Sequence, residues 1–344
     1  MDIKAYLEEK RGFIDSYLKS YFEPLSLPLQ LHDSMKYSLL SGGKRIRPIF
    51  ALASYEACGG DAKAILPQAA ALELIHTYSL IHDDLPAMDN DDLRRGQPTN
   101  HRVFGEGMAI LAGDALLTEA FLMMTGVNPP FPPFTKGGNT EKVTKGGNAA
   151  RLAKGGDIEM ANLSNQKSKA GFSVNTKAIS PISRSALLKA IRDVALAAGA
   201  HGMVGGQAQD ILSESSEPNR ETLNFIHLHK TAALIAASVR IGPILANSET
   251  KKLRALTRYG ENIGLAFQIV DDILNVEGTT VELGKPVGSD SRKNKLTYPS
   301  LYGIEVARQK ADEYMAEAIR TLAEFSSEAD PLRELAHYLV TRRN

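Results

Sequence analysis

The 344-residue chain contains 40 Lys and Arg against 40 Asp and Glu, so its formal net charge is zero. A protein that binds a polyanion usually has a basic excess, and this balance argues against nucleic acid as a partner. The single cysteine, Cys58, excludes an internal disulfide framework and fits a reducing compartment, so we expect a cytoplasmic protein. Hydrophobic residues make up 43% of the sequence, which is enough for a large core.

The N-terminal segment 1–22 carries charged residues throughout. This pattern predicts an amphipathic first helix, and it lacks the apolar stretch of a secretory signal. No segment of the sequence approaches the roughly 20 apolar residues of a transmembrane helix. We therefore expect no membrane span.

Helical patterns dominate the rest of the chain. Pro67 suits the first turn of a helix, and an uninterrupted apolar run follows it as far as Asp83. In the segment 261–276, apolar residues recur at helical spacing. Period-two alternation bounded by turn residues is nearly absent, which argues against a β-rich fold. The prediction is an all-α protein, with residues 1–344 forming a single domain.

The segment 127–181 interrupts this pattern with Pro, Gly, Lys, Asn and Ser. Inside it, TKGGN at 135, TKGGN at 144 and AKGGD at 153 recur with a period of nine, but the further Gly and the Asp of a calcium-binding nonapeptide repeat are missing. The segment contains 8 Lys and Arg against 3 Asp and Glu, with few large apolar residues. Such a composition buries too little surface to offset the entropy of ordering, and it predicts a flexible insertion between two helices.

The first Asp-rich segment follows the predicted helix directly. Residues 83–95 contain five aspartates, among them Asp83, Asp84 and Asp89, and the arginines Arg94 and Arg95. A proline within the run disrupts the helix beside the clustered carboxylates, which favours a concave acidic site over a solvated helix end. Carboxylates suit Mg²⁺, which shares its coordination shell with substrate phosphates, and arginines are bidentate phosphate donors. The segment predicts a magnesium–diphosphate site, with His76 on nearly the same helical face as Asp83.

A second acidic pair lies in the predicted helix 261–276. Asp271 and Asn275 share one helical face, Asp272 is adjacent, and Gln268 lies one turn earlier on the same side. The run is flanked by large apolar residues. Two adjacent carboxylates in a mainly buried helix are unfavourable unless a metal or cations compensate their charge. This helix therefore predicts a second part of the same site.

Cations occur in three further places. Lys285 and Lys295 lie in a Gly- and Pro-rich loop that could close over an anion, and Lys230–Thr231 lies at the end of a predicted helical segment, HLHKTAALIAA. Near the N-terminus, Ser41–Pro48 places three cations beside two glycines, but it lacks the glycine and the Ser/Thr spacing of a Walker A loop. It is a candidate second anion site.

Taken in order, the motifs GGKRIRP, DDLPAMDNDDLRRGQPT, HKT, FQIVDDILN and GKPVGSD resemble those of the trans-prenyl diphosphate synthases. The resemblance covers nearly the whole chain except 127–181. It implies a helical bundle around a deep central cavity, a homodimer, and Mg²⁺ as cofactor with Mn²⁺ as a substitute. The first Asp motif has two residues more than the short DDxxD form, which resembles the pattern of bacterial farnesyl and plant geranylgeranyl synthases.

The resemblance also implies a role for each matching residue. The metal ions would be held by Asp83, Asp84, Asp89, Asp271 and Asp272. The diphosphate of the allylic substrate would be held by Arg94, Lys230, Thr231, Gln268, Lys285 and Lys295. Isopentenyl diphosphate would be held by Lys44, Arg47, His76 and Arg95. Ionisation would depend most on Asp83, Asp84, Lys230 and Asp271. The second motif departs from the family at Asn275, where an aspartate is usual.

Residues before the first Asp motif form the floor of the product tunnel in this family, and here they are Tyr78 and Ser79. Tyr78 lies five residues before Asp83, about 7.5 Å along a helix, and its ring favours a short product. Farnesyl diphosphate is the predicted product, with geranylgeranyl and geranyl diphosphate as alternatives. Two other functions fit the sequence less well. A terpene cyclase would not need a second anion site, for which this sequence has a candidate. A non-catalytic partner subunit would be expected to lack intact Asp motifs, whereas both are nearly complete here.

Overall fold

The structure is a computed structural model of the chain, and it describes residues 1–23, 28–126, 182–214, 217, 219–277 and 295–341. Most of these residues are helical, which confirms the all-α prediction. The first part of the chain forms helices α1 Ile3–Phe22, α2 Leu29–Leu39, α3 Ile46–Glu56, α4 Leu66–Asp83, α5 Asn100–Phe104 and α6 Glu106–Met124. A 3₁₀ turn, Ala62–Ile65, precedes α4. The predicted insertion 127–181 lies outside the described residues.

The second part of the chain begins with α7 Arg184–Ala198 and α8 Met203–Ser213. It continues with α9 Arg220–Ile226, a π-helical turn His227–Ala232, α10 Ala233–Leu245 and α11 Thr250–Glu277. The C-terminal elements are α12 Tyr298–Tyr302, α13 Ile304–Thr321, a 3₁₀ turn Ser327–Ala329 and α14 Asp330–Thr341. The helix predicted over 261–276 is therefore part of the longer α11.

Local sequence signals account for two of the helix ends. The Asp2 carboxylate accepts hydrogen bonds from the backbone N–H groups of Lys4 and Ala5, so it caps α1. Pro67 lies in the first turn of α4, where its missing N–H would have had no helical partner. At the other end, α4 stops at Asp83, and Pro86 lies in the turn that follows. These boundaries confirm the predicted start of the helix and its break beside the acidic residues.

A two-stranded hairpin follows the first Asp-rich segment, and the sequence pattern did not predict it. β1 Leu93–Arg94 pairs antiparallel with β2 Gln97–Pro98. Between them, Arg95 and Gly96 have φ of 53° and 74°. Two consecutive residues with positive φ are typical of a tight hairpin turn. The hairpin presents Arg94 and Arg95 next to the end of α4.

The core lies where α4, α10 and α11 meet their neighbours. α4 packs against α6 and α3, α10 packs against α3, α7 and α11, and α11 packs against α13. Two glycines let α11 approach closely: a Cβ on Gly260 would lie 2.8 Å from the Cα of Ala236, and one on Gly264 would lie 2.7 Å from the Cα of Ala232. Small residues at this crossing bring α11 against the π-helical turn.

The π-helical turn joins α9 to α10, so the three elements form one continuous helix. Lys230 and Thr231 lie inside this turn, so the prediction that they end a helix is wrong. A π turn is rare and is often found at functional sites. Gly206 of α8 faces it, since a Cβ there would lie 2.1 Å from the backbone N of Lys230.

The sequence predicted no membrane span, but helix α6 meets one criterion for a span. By length and composition alone it could cross a bilayer, and 39% of its apolar window is buried inside the protein. A core helix of a soluble protein meets the same criterion, so this is weak evidence for a span. Its exposed apolar residues include Ile110 and Leu111.

Candidate active site

The turn after α4 folds the first Asp-rich segment back on itself. The N–H of Asp84 donates to the carbonyl of Leu80 at 3.1 Å and ends the helix. The N–H of Asp89 then donates to the carbonyl of Asp83 at 2.8 Å. This bond brings Asp89 back beside the helix end, and its charge raises the pKa of Asp83. Residues six apart in sequence therefore belong to one acidic cluster.

Burial dominates the acid–base behaviour of this cluster. Loss of hydration raises the pKa of Asp83, and the nearby ammonium of Lys230 opposes that shift. Burial also raises the pKa of Asp84 to about 6, even though Arg94 stabilises its charged form. The carboxylates thus lie in a poorly hydrated environment, where their charge is unfavourable unless cations accompany it.

Two cations contact these carboxylates, Arg94 from the neighbouring hairpin and Lys295 from a distant part of the chain. The Nε of Arg94 lies 2.7 and 2.9 Å from the two carboxylate oxygens of Asp84, and its Nη2 lies 2.6 Å from Oδ1. The Nζ of Lys295 donates to Oδ1 of Asp89 at 2.8 Å. Hydrogen bonds between ionised partners are about twice as strong as neutral ones. The hairpin and the segment before α12 are therefore both fixed to the acidic turn.

A second cationic cluster lies around His76. Burial lowers the pKa of Arg47, His76 and Arg95, and the arginines lower the pKa of the histidine further. In the part of the chain that the structure describes, the Nε of Arg47 is buried and has no hydrogen-bond partner. For both arginines the effect of burial outweighs the attraction of the nearby Glu73, and such a site favours an anionic ligand. Arg47 also interacts electrostatically with Asp271 of α11, so this cluster borders the second Asp motif.

Arg45 has a different role from its neighbour Arg47. Its Nε donates to Asp15 at 2.8 Å, its Nη1 to Glu73 at 2.7 Å and its Nη2 to the carbonyl of Leu39 at 2.9 Å. Arg45 and Glu73 are each only 2% exposed. Of the three cations of the segment Ser41–Pro48, Arg45 therefore anchors the loop before α3 to the core.

Arg95 lies directly on the glycines of that loop. Its Nη1 donates to Ser41 Oγ at 3.2 Å and to the carbonyl of Gly42. Gly43 has φ of 136°, and a Cβ on it would lie 2.9 Å from Nη2 of Arg95. Only glycine combines this backbone conformation with such a close approach. Gly43 thus lets the guanidinium reach the loop.

We expect Gly43→Ala to weaken the second cationic cluster selectively. The added methyl group must displace the Arg95 guanidinium, and the positive φ adds strain of about 1–2 kcal/mol. The expected result is a roughly tenfold rise in KM for the substrate that Arg95 is predicted to hold, measured by steady-state kinetics. Gly12→Ala in α1 is the control, because nothing lies within 4 Å of its added Cβ. An unchanged KM in a folded Gly43→Ala protein would contradict this arrangement.

The second Asp motif is divided between two environments. The carboxylate of Asp272 is 4% exposed, and it accepts hydrogen bonds from Gln268 Nε2 at 2.8 Å and from the backbone N–H of Tyr298 at 2.8 Å. His227 Nε2 lies 3.1 Å from the same carboxylate. Protein donors thus surround Asp272, whereas Asp271 beside it is exposed. The metal role of Asp272 stays a prediction, and Asp271 is the better placed of the two.

A hydrogen-bonded chain connects the π-helical turn to that motif. The hydroxyl of Thr231 donates to Oε1 of Gln268 at 2.6 Å, and Gln268 in turn donates to Asp272. The predicted diphosphate ligands Thr231 and Gln268 are therefore brought together, each oriented by the other. Asn275 is also buried, at 4% exposure.

Comparison with known proteins identifies the family. The polyprenyl synthetase model matches residues 28–145 and 166–337. The chain belongs to the polyprenyl synthetase family. A geranylgeranyl diphosphate synthase of Cyanophora paradoxa is 40% identical, covering 100% of this chain and 97% of that protein. A farnesyl diphosphate synthase of Geobacillus stearothermophilus is 38% identical, covering 99% and 98%.

The fold agrees with that membership. The crystal structure of an FPP/GFPP synthase from Zymomonas mobilis covers 99% of this chain and 99% of its own, with a TM-score of 0.74 and 32% identity. The resemblance drawn from the motifs is confirmed, and the chain is a prenyltransferase of this family. The gap between the two matched ranges, residues 146–165, falls within the predicted insertion.

The structure brings together most residues that the motifs predicted for a polyprenyl synthetase. Asp83, Asp84 and Asp89 form one group with the cations Arg94, Lys230 and Lys295. The second group contains Arg47, His76 and Arg95, and Lys44 of the same loop is exposed. Lys285 lies outside the described residues. Their roles in the synthetase reaction stay predictions.

Four residues of the site were not predicted from the sequence. They are Glu73, Asp210, His227 and Tyr298. Glu73 is an acid inside the apolar helix α4, and the argument applied to Asp271 would have indicated it. Asp210 follows a pair of glycines in GGQAQD, which is a weak signal. The contacts of His227 and Tyr298 depend on tertiary packing.

Proposed function

We propose that this polyprenyl synthetase condenses isopentenyl diphosphate with dimethylallyl and then geranyl diphosphate, and that it releases farnesyl diphosphate. The observation that carries the proposal is the pairing of two clusters. One combines the aspartates of the α4 turn with arginine and lysines, and the other consists of Arg47 and Arg95, whose charge is disfavoured by burial, beside the uncharged His76. A reaction between two diphosphates needs two such sites, whereas a cyclase acting on one diphosphate does not.

The donor set of the first cluster fits magnesium. Its oxygens belong to carboxylates, the hard ligands that Mg²⁺ prefers. Within the described ranges, no group of three His, Cys, Asp or Glu side chains is arranged to hold a metal ion by itself. That agrees with an ion that takes one or two carboxylates and completes its shell with water and substrate phosphates. Asp83, Asp84 and Asp89, with Asp271 on α11, would hold several such ions, each through one or two of these carboxylates, and Mn²⁺ has the same ligand preference. When bound, the metal stabilises the negative charge of the departing diphosphate.

The protein's own cations act on the same leaving group. Lys230, Lys295 and Arg94 reach the acidic turn, so they would bind the allylic diphosphate and stabilise charge as its C–O bond breaks. Arg47 and Arg95 would hold isopentenyl diphosphate with its double bond directed at the allylic carbon. The new C–C bond forms, and a proton is lost to the departed pyrophosphate. His76, whose pKa is lowered by burial, would donate a hydrogen bond as a neutral ring.

Tyr78 supports farnesyl as the product. It is 6% exposed, and its ring packs edge-to-face on His82 with centroids 5.6 Å apart. Burial raises the pKa of its hydroxyl to about 12, so the group stays neutral. Ser79, the other predicted floor residue, donates its hydroxyl to the carbonyl of His76 at 2.8 Å. A fixed ring about 7.5 Å along the helix from Asp83 would stop a growing chain early.

The direct test is incubation with Mg²⁺, isopentenyl diphosphate and either dimethylallyl or geranyl diphosphate, followed by analysis of product length. A C15 product from both primers supports the proposal. A C20 product would establish the geranylgeranyl alternative, which the names of several relatives share. No condensation with either primer would indicate a non-catalytic partner subunit.

We expect Tyr78→Ala to lengthen the product from C15 to C20 and longer. The substitution removes the ring and leaves a void in which further prenyl units fit. Product chains are measured by chromatography after dephosphorylation. Tyr78→Phe is the matched control, because it keeps the ring and should keep the C15 product. Unchanged chain length in Tyr78→Ala would remove Tyr78 from the tunnel floor.

The proposed enzyme is a cytoplasmic homodimer. Exposed apolar side chains on adjacent helices support self-association: Ile110 and Leu111 of α6 are 43% and 54% exposed, and Leu188 of α7 is 68% exposed. Burying such a surface against a second copy would be favourable. Light scattering that reports a monomer at micromolar concentration would contradict the dimer.

A further inference from the structure

Asp210 of α8 lies between two of the lysines of the site. Its carboxylate is 4% exposed, and Oδ2 lies 2.5 Å from the Nζ of Lys230 and 3.8 Å from the Nζ of Lys295. Lys295 also donates to Asp89 at 2.8 Å. One buried carboxylate thus connects the π-helical turn, the segment before α12 and the acidic turn after α4.

This arrangement addresses a physical difficulty of the site. Two ammonium groups directed at the same diphosphate repel each other before the diphosphate arrives, and each is carried by a flexible four-carbon stem. A carboxylate between them offsets the repulsion and restricts both stems. An ammonium has three donors, so Lys230 can keep its bond to Asp210 while it binds a second anion.

The backbone of α8 contributes to the same placement. Gly206, one turn before Asp210, lets α8 approach until a Cβ there would lie 2.1 Å from the backbone N of Lys230. Helix α8 therefore contacts Lys230 in two places. Gly206 lies against the main chain of Lys230, and Asp210 binds its ammonium group. Such a double contact restrains the position of a long side chain more than either contact alone.

We propose that Asp210 is a positioning residue for the allylic diphosphate: it acts through Lys230 and Lys295 and does not touch the substrate. The inference rests on the proposed function, since it assumes that these lysines bind the diphosphate that leaves. Removal of the carboxylate should selectively weaken the binding of that diphosphate. Isopentenyl diphosphate, assigned to Arg47 and Arg95, should be little affected.

The experiment uses Asp210→Asn in the full chain. Binding of inorganic pyrophosphate with Mg²⁺ is measured by calorimetry, and kcat and KM are measured for each substrate. We expect pyrophosphate binding and kcat/KM for the allylic substrate to fall at least tenfold, with the KM for isopentenyl diphosphate within twofold. Asp210→Glu restores a carboxylate one methylene further out, and it should recover part of the loss.

Asp193→Asn is the matched control. Asp193 of α7 accepts from the Nε of Arg240 of α10 at 2.9 and 3.1 Å, a half-buried pair of the same chemistry outside both clusters. This control should lower thermal stability and leave pyrophosphate binding within twofold. Equal losses of pyrophosphate binding in Asp193→Asn and Asp210→Asn would show a general effect on folding and overturn the positioning role.

A double-mutant cycle with Lys230→Met separates positioning from structural support. If Asp210 acts through Lys230, Asp210→Asn should cost much less pyrophosphate binding in the Lys230→Met background than in the wild type. Fully additive losses would overturn the proposal, and so would wild-type binding in Asp210→Asn. A wild-type protein that neither binds pyrophosphate nor condenses prenyl diphosphates would instead refute the proposed function, so the two failures are distinct.

Discussion

Alanine in place of Asp83 or Asp84 is expected to lower turnover at least 100-fold, which corresponds to about 2.7 kcal/mol of lost transition-state stabilisation. In the proposed function, each substitution removes a hard oxygen ligand from the cluster that would stabilise the charge of the departing diphosphate. Asp83→Ala should leave folding intact. Burial raises the pKa of Asp83, which means that the folded state disfavours the charged carboxylate, so its removal should not lower stability. Loss of Asp84 removes the bidentate partner of Arg94, so a lower Tm is expected there.

The measurements are steady-state turnover and thermal unfolding followed by circular dichroism. Asp92→Ala is the matched control in the same segment. Asp92 is exposed and pairs with the exposed Arg102, a surface pair worth at most about 1 kcal/mol. The activity of Asp92→Ala should stay within twofold of the wild type. Near-normal turnover in purified Asp83→Ala and Asp84→Ala would refute the metal assignment.

Methionine at Arg45 and at Arg47 is expected to have opposite effects. Arg45→Met leaves the buried Glu73 without its cation, which should lower the free energy of unfolding by about 3–5 kcal/mol. Arg47→Met removes a buried cation whose Nε has no partner among the described residues, so stability should be unchanged or higher. Its kcat/KM for isopentenyl diphosphate should fall roughly 10- to 100-fold, since a hydrogen bond to a charged group contributes about 1.5–3 kcal/mol.

Chemical denaturation and substrate kinetics on both variants test this contrast. The two residues are close in the chain, Arg45 just before α3 and Arg47 in its first turn, so each variant is the control for the other. A destabilised Arg47→Met protein with normal affinity for isopentenyl diphosphate would show that Arg47 supports the fold and does not bind this substrate. Such a result would make Arg95 and His76 the remaining candidates for that anion site.

The features that the sequence predicted well are local ones. Helical periodicity and Pro67 placed α4, and the break after Asp83 followed from Pro86. The aspartates and arginines of the first motif lie within 13 residues, so their proximity needed little tertiary information. The order of motifs was enough to indicate the family. Each of these conclusions depends on short motifs that can be read without knowing which distant segments pack together.

The features that the sequence did not predict depend on long-range packing. Lys295 meets Asp89 across 206 positions, and Glu73 meets Arg45 across 28. Nothing in the composition around Asp272 indicates that Tyr298 and His227 surround its carboxylate. Periodicity assumes 3.6 residues per turn, so it could not detect the π-helical turn that carries Lys230.

That turn places a constraint on the length of the segment rather than on its composition. A π turn contains one residue more than an α turn, so a deletion of one residue between His227 and Ala232 would restore a regular α-helix. The backbone would lose an irregularity, and the side chains inside the turn would change their directions relative to one another while the flanking helices kept their phase. Lys230 could then no longer face α8 while Thr231 faces α11. Insertions and deletions at this point of the chain should therefore be far more harmful than most substitutions there.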